Sequence, residues 1–205
     1  MDARRLAMLF ALALLFSALV GSASGPMAAR AQGGNPLTTE QHYRLAFLAG
    51  QWEEEITYAS SPPEQPREKG QWTARPALGL YLVIQYTGAS SQPPYRAFAV
   101  LTYARDEQAY RMWWFDNAAG IGEYRGNFTD ENTLALEHVG KVEGKAFRER
   151  IRFTRVSPTE VRTNIEQAWE TGEFRPYLEA VAHRTGEAPA REPAQRPPQN
   201  DGPKK

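Results

Sequence analysis

From about residue 50 to residue 184 the chain alternates. In several of its segments apolar and aromatic side chains recur at every second position with polar residues between them, the period of a strand that turns one face to an interior. The pattern is clearest in two segments. Over 145–156, Phe147, Ile151 and Phe153 share one face, and Arg148, Arg150 and Arg152 share the other. Over 160–170, Val161, Thr163, Ile165, Gln167 and Trp169 share a face against Arg162, Asn164, Glu166 and Glu170. Enrichment in Tyr, Phe, Trp, Val, Ile and Thr predicts strands over 51–59, 70–75, 80–87, 95–104, 109–115, 122–128, 133–139, 145–156, 160–170 and 174–184. Turn formers separate them, among them Ser60-Ser61-Pro62-Pro63, Asp116-Asn117, Gly140 and Thr171-Gly172.

One helical stretch comes first. Thr38 or Thr39 supplies a cap, Glu40 and Gln41 sit in the first turn, and Tyr43, Ala46, Phe47 and Ala49 recur near a period of 3.6 until Gly50 ends it. The connections between the strands are mostly short, which favours sequential antiparallel hairpins. An open sheet of about ten strands leaves pairing edges, and closure removes them. The expected fold class is therefore all-β, an antiparallel up-and-down barrel of about ten strands preceded by one short helix. A β-sandwich needs longer crossing connections than this chain supplies.

Gly50-Gln51-Trp52 opens the first strand with the G-x-W arrangement of lipocalins and their calycin relatives. The chain also resembles a bacterial calycin-like family of unknown function, domain-of-unknown-function fifteen-seventy-nine. The resemblance is carried by Leu48-Ala49-Gly50-Gln51-Trp52, Leu78-Gly79-Leu80-Tyr81-Leu82, Leu101-Thr102-Tyr103 with Tyr110, Trp114-Phe115-Asp116, Tyr124-Arg125-Gly126 and a last strand ending at Arg184. It implies a lipocalin-like barrel and, by analogy, binding of a small molecule; it does not imply an activity. It also implies that Trp52 packs at a closed end of the barrel under Arg184, with the guanidinium on the indole face.

The ends of the chain differ from its middle. Residues 1–31 read as a signal peptide: Arg4 and Arg5, the apolar run from Leu6 to Val20 broken only by Ser17, and Ala29-Arg30-Ala31 as a small-x-small cleavage site. The expectation is an exported protein, periplasmic or secreted, with residues 32–184 forming the barrel domain and no transmembrane segment after cleavage. Residues 185–205 are rich in Pro, Ala, Gln, Arg and Lys, a composition expected to stay disordered. Removal of the signal takes Arg4, Arg5, Arg30 and Asp2 and leaves 21 basic against 23 acidic residues, so no basic excess is available for nucleic acid. The sequence has no cysteine, so stability must come from the core alone.

Alternation also selects candidate chemistry. Glu54 shares a face with Trp52, Ile56 and Tyr58, and Glu149 shares one with Phe147, Ile151 and Phe153. If those faces look inward, two carboxyls enter the barrel as polar anchors or as acid–base groups. Gln167 and Trp169, with Tyr110 and Trp114, supply the aromatic wall and polar anchor of a ligand pocket, or else ordinary core. His138 shares a face with Leu134 and Leu136, but three scattered histidines and no cysteine do not make a metal or haem site, so no metal or cofactor is expected. Asp116-Asn117 reads as an Asx turn.

Three functions fit these features. The first is an exported module that binds a small apolar or amphipathic molecule without catalysis. The second is a small enzyme using Glu54 or Glu149. The third is an envelope structural protein with a filled barrel and an exposed aromatic patch, with Trp72 and Trp113 as candidates.

Overall fold

The computed structural model describes residues 37–62, 67–88 and 94–188. The expected signal segment, and the expected tail beyond Ala188, lie outside the described residues. Helix α1 (Glu40–Tyr43) passes into a 3-10 turn (Arg44–Leu48). Ten strands follow: β1 (Gly50–Tyr58), β2 (Glu68–Ala77), β3 (Tyr81–Gly88), β4 (Tyr95–Ala104), β5 (Ala109–Asp116), β6 (Ile121–Phe128), β7 (Thr133–Val142), β8 (Lys145–Ser157), β9 (Glu160–Trp169) and β10 (Arg175–Gly186). Each pairs antiparallel with its sequence neighbours, and β10 returns to β1. The result is a closed up-and-down barrel, the fold class that the alternation predicts.

Two local readings need correction. Gly140 is not a break: β7 runs on to Val142, and the turn is Glu143-Gly144, both at positive φ (50° and 82°) as a two-residue hairpin requires. Gly140 pairs with Phe147 in the β7–β8 ladder, and a larger residue there would crowd the His138 ring, whose Nε2 lies 2.6 Å from where a Cβ would be. The helix is also shorter than its periodicity implied. It tightens to 3-10 geometry after Tyr43, which stacks Leu45 and Leu48 three residues apart on one buried face.

That helical segment plugs one end of the barrel. Leu48 and Trp52 are almost fully buried, and the Trp52 Nε1–H donates to the Leu48 carbonyl at 3.0 Å. Trp52 and Arg184 face each other across the β1–β10 ladder. The guanidinium carbon lies 4.4 Å from the indole centroid. Its nitrogens donate to the carbonyls of Phe47 (3.2 Å), Pro158 (3.1 Å) and Ala49. Gly50, at φ +145°, leaves room for this arrangement: a Cβ there would meet Arg184 Nη1 at 2.5 Å. Below the plug the interior is filled by Leu101, Met112, Leu134, Leu136 and Val161, all fully buried.

Candidate functional site

The filling stops halfway along the barrel. Trp72 stacks on Trp52 with ring centroids 5.0 Å apart and planes at 16°. Beyond it a cavity of about 1220 Å³ opens at the other end of the barrel. Ile84, Ile151, Ile165, Leu178 and Ala180 give it an apolar floor and wall. Its mouth is formed by the ends of strands and their turns, including Tyr58, Glu68, the Asp116–Ile121 connection, Val142 and Tyr177.

Four carboxyls line this space: Glu68, at the mouth, accepts from the Tyr58 hydroxyl at 3.2 Å, and the other three are likewise held by neutral donors. Glu54, on β1, accepts from the Trp72 indole at 3.0 Å and from the Tyr86 hydroxyl. Burial pushes its pKa above the ordinary glutamic value, and the two hydrogen bonds oppose that shift. Gly70 makes the pairing possible. A Cβ at that inward position would collide with the Tyr86 hydroxyl oxygen and sit 2.9 Å from Glu54 Oε1. Glu149, on β8, accepts from the Tyr124 hydroxyl at 2.6 Å and from Gln167 Nε2 at 2.7 Å. Asp116, at the end of β5, accepts from the Tyr95 hydroxyl at 3.0 Å, and Tyr95 in turn accepts from Trp114 Nε1 at 3.2 Å. The other Asp116 oxygen takes the backbone N–H groups of Ala118 (2.9 Å) and Gly120 (2.8 Å), the Asx turn that Asp116-Asn117 predicts. Burial first, and the adjacent acids next, push Tyr86 and Tyr124 well above the ordinary phenol value. Burial does the same for Tyr95. All three phenols therefore remain protonated donors.

Of the candidates read from the sequence, Glu54, Trp114, Glu149 and Gln167 line this cavity together. Tyr110 does not. It is buried in the filled half, and its hydroxyl donates to the backbone oxygen of Gln41 (2.9 Å) and to the Gln41 side chain (2.8 Å), tying the plug down. Trp169, the last residue of β9, packs on Phe147 with centroids 4.8 Å apart and leaves nearly half its surface to solvent, outside the cavity lining. Trp72 is buried within the barrel and contributes to no outer patch. The exposed row on the outer wall is instead Phe98, Phe115 and Ile121, cross-strand neighbours on β4, β5 and β6. His138 lines the cavity beside Tyr124 and bonds the Glu123 carbonyl at 2.9 Å through Nδ1. Among the described residues no group of three metal-ligating side chains converges. None of the described helices is long and apolar enough to cross a membrane.

The reading from sequence missed Trp72, Tyr86, Tyr95 and Tyr124 as cavity residues. A signal was present in Gly70-Gln71-Trp72-Thr73-Ala74 and Gly122-Glu123-Tyr124-Arg125-Gly126. There inward aromatic residues are flanked by inward glycine or alanine rather than by apolar bulk.

A family model described as "Protein of unknown function (DUF1579)" matches residues 38–184. Among curated proteins none matches the sequence. Among solved structures, Rv2717c from M. tuberculosis is similar with a TM-score of 0.53 and 14% identity, over 72% of this chain and 98% of that one. The redesigned β-barrel mFAP0 bound to DFHBI matches with a TM-score of 0.38 and 17% identity, over 67% and 99% of the two chains. The S-type phycobiliprotein lyase CPES from Guillardia theta matches at 0.40 and 11%, over 71% and 90%. The likeness to Rv2717c is one of fold.

Proposed function

We propose that this chain, which belongs to the family of proteins of unknown function DUF1579, is an exported barrel that binds a small amphipathic molecule in its open half. The observation that carries the reading is the contrast within one interior: the plugged half is packed solid, while the other half holds about 1220 Å³ of cavity. That space is on the scale of small-molecule sites, which run to about 1,000 Å³ and combine an apolar wall with a few convergent polar groups. Glu54, Asp116, Glu149 and Gln167 are those groups, and Trp114 and Tyr124 belong to the wall. Export rests on the segment 1–31 and its Ala29-Arg30-Ala31 site.

Titrating the purified mature chain with a panel of apolar and amphipathic fluorophores tests binding. A saturable change in tryptophan emission is expected, reduced in Trp114→Phe. A flat response across the panel, with no small molecule co-purifying in native mass spectrometry, would refute it. N-terminal sequencing of protein from the extracytoplasmic fraction should begin at Gln32, and a chain starting at Met1 speaks against export.

A second reading, an envelope interaction protein, is favoured by one observation: the exposed Phe98–Phe115–Ile121 row on the outer wall. Replacing the three by Thr should lower self-association or envelope retention if it is right, and leave both unchanged if it is not.

A further inference from the structure

The charged side chains of this barrel are sorted by face. On β8, Arg150 and Arg152 point outward into ion pairs with Glu137 and Glu166. Arg148 also lies outside, over the Phe174 ring. Arg184 is locked in the plug. The cavity lining carries Glu54, Glu68, Asp116 and Glu149, against Lys141 and His138 near the mouth. Among the described residues, none of Glu54, Asp116 and Glu149 pairs with an Arg or Lys. The hydrogen bonds they accept come from phenols, an indole, an amide and backbone N–H groups.

The acids also converge. Tyr95 donates to Asp116 at 3.0 Å and Tyr124 to Glu149 at 2.6 Å, and all four residues line the same cavity. Trp114 donates to Tyr95, and the Tyr86 ring stands 5.9 Å from Tyr95 and 6.3 Å from Trp114. Two carboxyls thus flank a group of aromatic rings at the mouth, above the apolar floor. Carboxyls in a half-buried site with no counter-ion favour an incoming cation, because its charge supplies what water no longer does. Aromatic faces add to that attraction when the cation is desolvated, most of all for a quaternary ammonium. An anionic head in the same place meets like charge.

We propose that the occupant is a cationic amphipath, its ammonium head held between Asp116 and Glu149 among Tyr95, Trp114 and Tyr124, and its apolar body on Ile84, Ile151 and Leu178. This rests on the binding function proposed above and names its ligand class. It selects against fatty acids, which bring a carboxylate to a wall of carboxylates.

The test uses one dansyl-labelled alkyl chain with three different heads: trimethylammonium, hydroxyl and carboxylate. Each is titrated into the mature chain below its micelle concentration. The ammonium probe should bind about tenfold more tightly than the hydroxyl probe, and the carboxylate probe most weakly. Glu149→Gln and, separately, Asp116→Asn should each lose most of the ammonium preference while still binding the hydroxyl probe. Two variants guard against one failing to fold, and their melting temperatures report which did. Equal affinity for the three heads, or a preference for carboxylate, overturns the charge assignment and leaves the binding function standing. A preference for ammonium that both folded variants retain also overturns it, by placing the head elsewhere. No saturable binding of any probe overturns both.

Discussion

The two ends of this barrel are built from the same strands and hold their polar atoms differently. At the plugged end the hydrogen bonds run mainly from side chain to backbone: Trp52 to Leu48, Tyr110 to Gln41, and Arg184 to Phe47 and Pro158. At the open end they run mainly from side chain to side chain: Trp72 to Glu54, Tyr124 and Gln167 to Glu149, Trp114 to Tyr95, and Tyr95 to Asp116. Backbone acceptors fix the path of the chain, and breaking those bonds leaves a buried carbonyl unsatisfied. Pairs of side chains can change partners without moving the chain. At the cavity the side chains of Trp72, Tyr95, Tyr124 and Gln167 supply donors to Glu54, Asp116 and Glu149, so a ligand head can replace one of them without breaking a strand ladder. One end specifies the fold and the other is free to meet a ligand.

The largest expected effect tests that division. Trp52→Ala removes a fully buried ring and should cost about 3–5 kcal/mol in chemical denaturation. Trp114→Ala should cost clearly less, since its ring is only partly buried and faces the cavity. Arg184→Ala should also destabilise, and a cycle with Trp52→Ala should be non-additive because the two are in contact and bond successive carbonyls of one turn, Trp52 that of Leu48 and Arg184 those of Phe47 and Ala49. Additive losses would mean that the plug is not one unit.

A pair of glycines sharpens the comparison at a smaller scale. A Cβ on Gly126, between Tyr110 and Leu136 in the filled half, would collide with the Ala135 carbonyl oxygen. Backbone cannot swing aside, so Gly126→Ala should cost about 1–3 kcal/mol. A Cβ on Gly70 in the open half meets only the ends of the Tyr86 and Glu54 side chains. Gly70→Ala should cost less in stability and more in probe binding. If the order of the two stabilities is reversed, the open end is as rigidly specified as the plug.

Glu54 sits nearest the boundary and gives the comparison a pH signature. Burial favours its neutral form, so the native state keeps a proton that the unfolded chain releases above about 4.5. The group's contribution is therefore fully present below that value and falls as pH rises through the higher native value. Denaturation midpoints measured from pH 4 upward should show the wild type losing ground to Glu54→Gln as pH rises. Parallel curves would show that the Trp72 and Tyr86 hydrogen bonds fully offset burial.

Parity along a strand was legible in the sequence, and height along the barrel was not. Alternation correctly turned Glu54, Glu149, Gln167 and Trp114 inward, because side-chain direction is local and repeats every two residues. It turned Tyr110 inward as well, yet Tyr110 lies in the filled half and Trp169 lies at the rim. Their heights depend on the register that β5 and β9 adopt with the adjacent strands, such as Tyr110 opposite Gly126 and Trp169 opposite Phe147. Trp72 was hidden for another reason. Its inward neighbours, Gly70 and Ala74, carry no apolar bulk to announce a face, and Gly70 is small because the Tyr86 and Glu54 side chains need the space.

The smallest expected effect concerns where the fold stops. Composition places the boundary after Arg184, but β10 continues through Gly186. Gly186 pairs with Gln51, and the Gln51 amide donates to the Glu187 carbonyl at 3.2 Å. These bonds flank Trp52 and Arg184, so the last residues of β10 belong to the plug. Truncation after Ala188 removes only the Pro-, Ala- and Arg-rich segment, and stability should stay within about 0.5 kcal/mol of the full mature chain. Truncation after Arg184 also deletes the paired residues and should cost on the order of 1 kcal/mol, the usual worth of one or two net hydrogen bonds. Both cuts leave from the plugged end, so neither should change the probe response at the mouth. If the two truncations prove equally stable, the strand's last turn of pairing contributes nothing to closure. If the chain cut after Ala188 already loses more than about 1 kcal/mol, the segment beyond that residue packs on the barrel, and the division of the chain at that point is wrong.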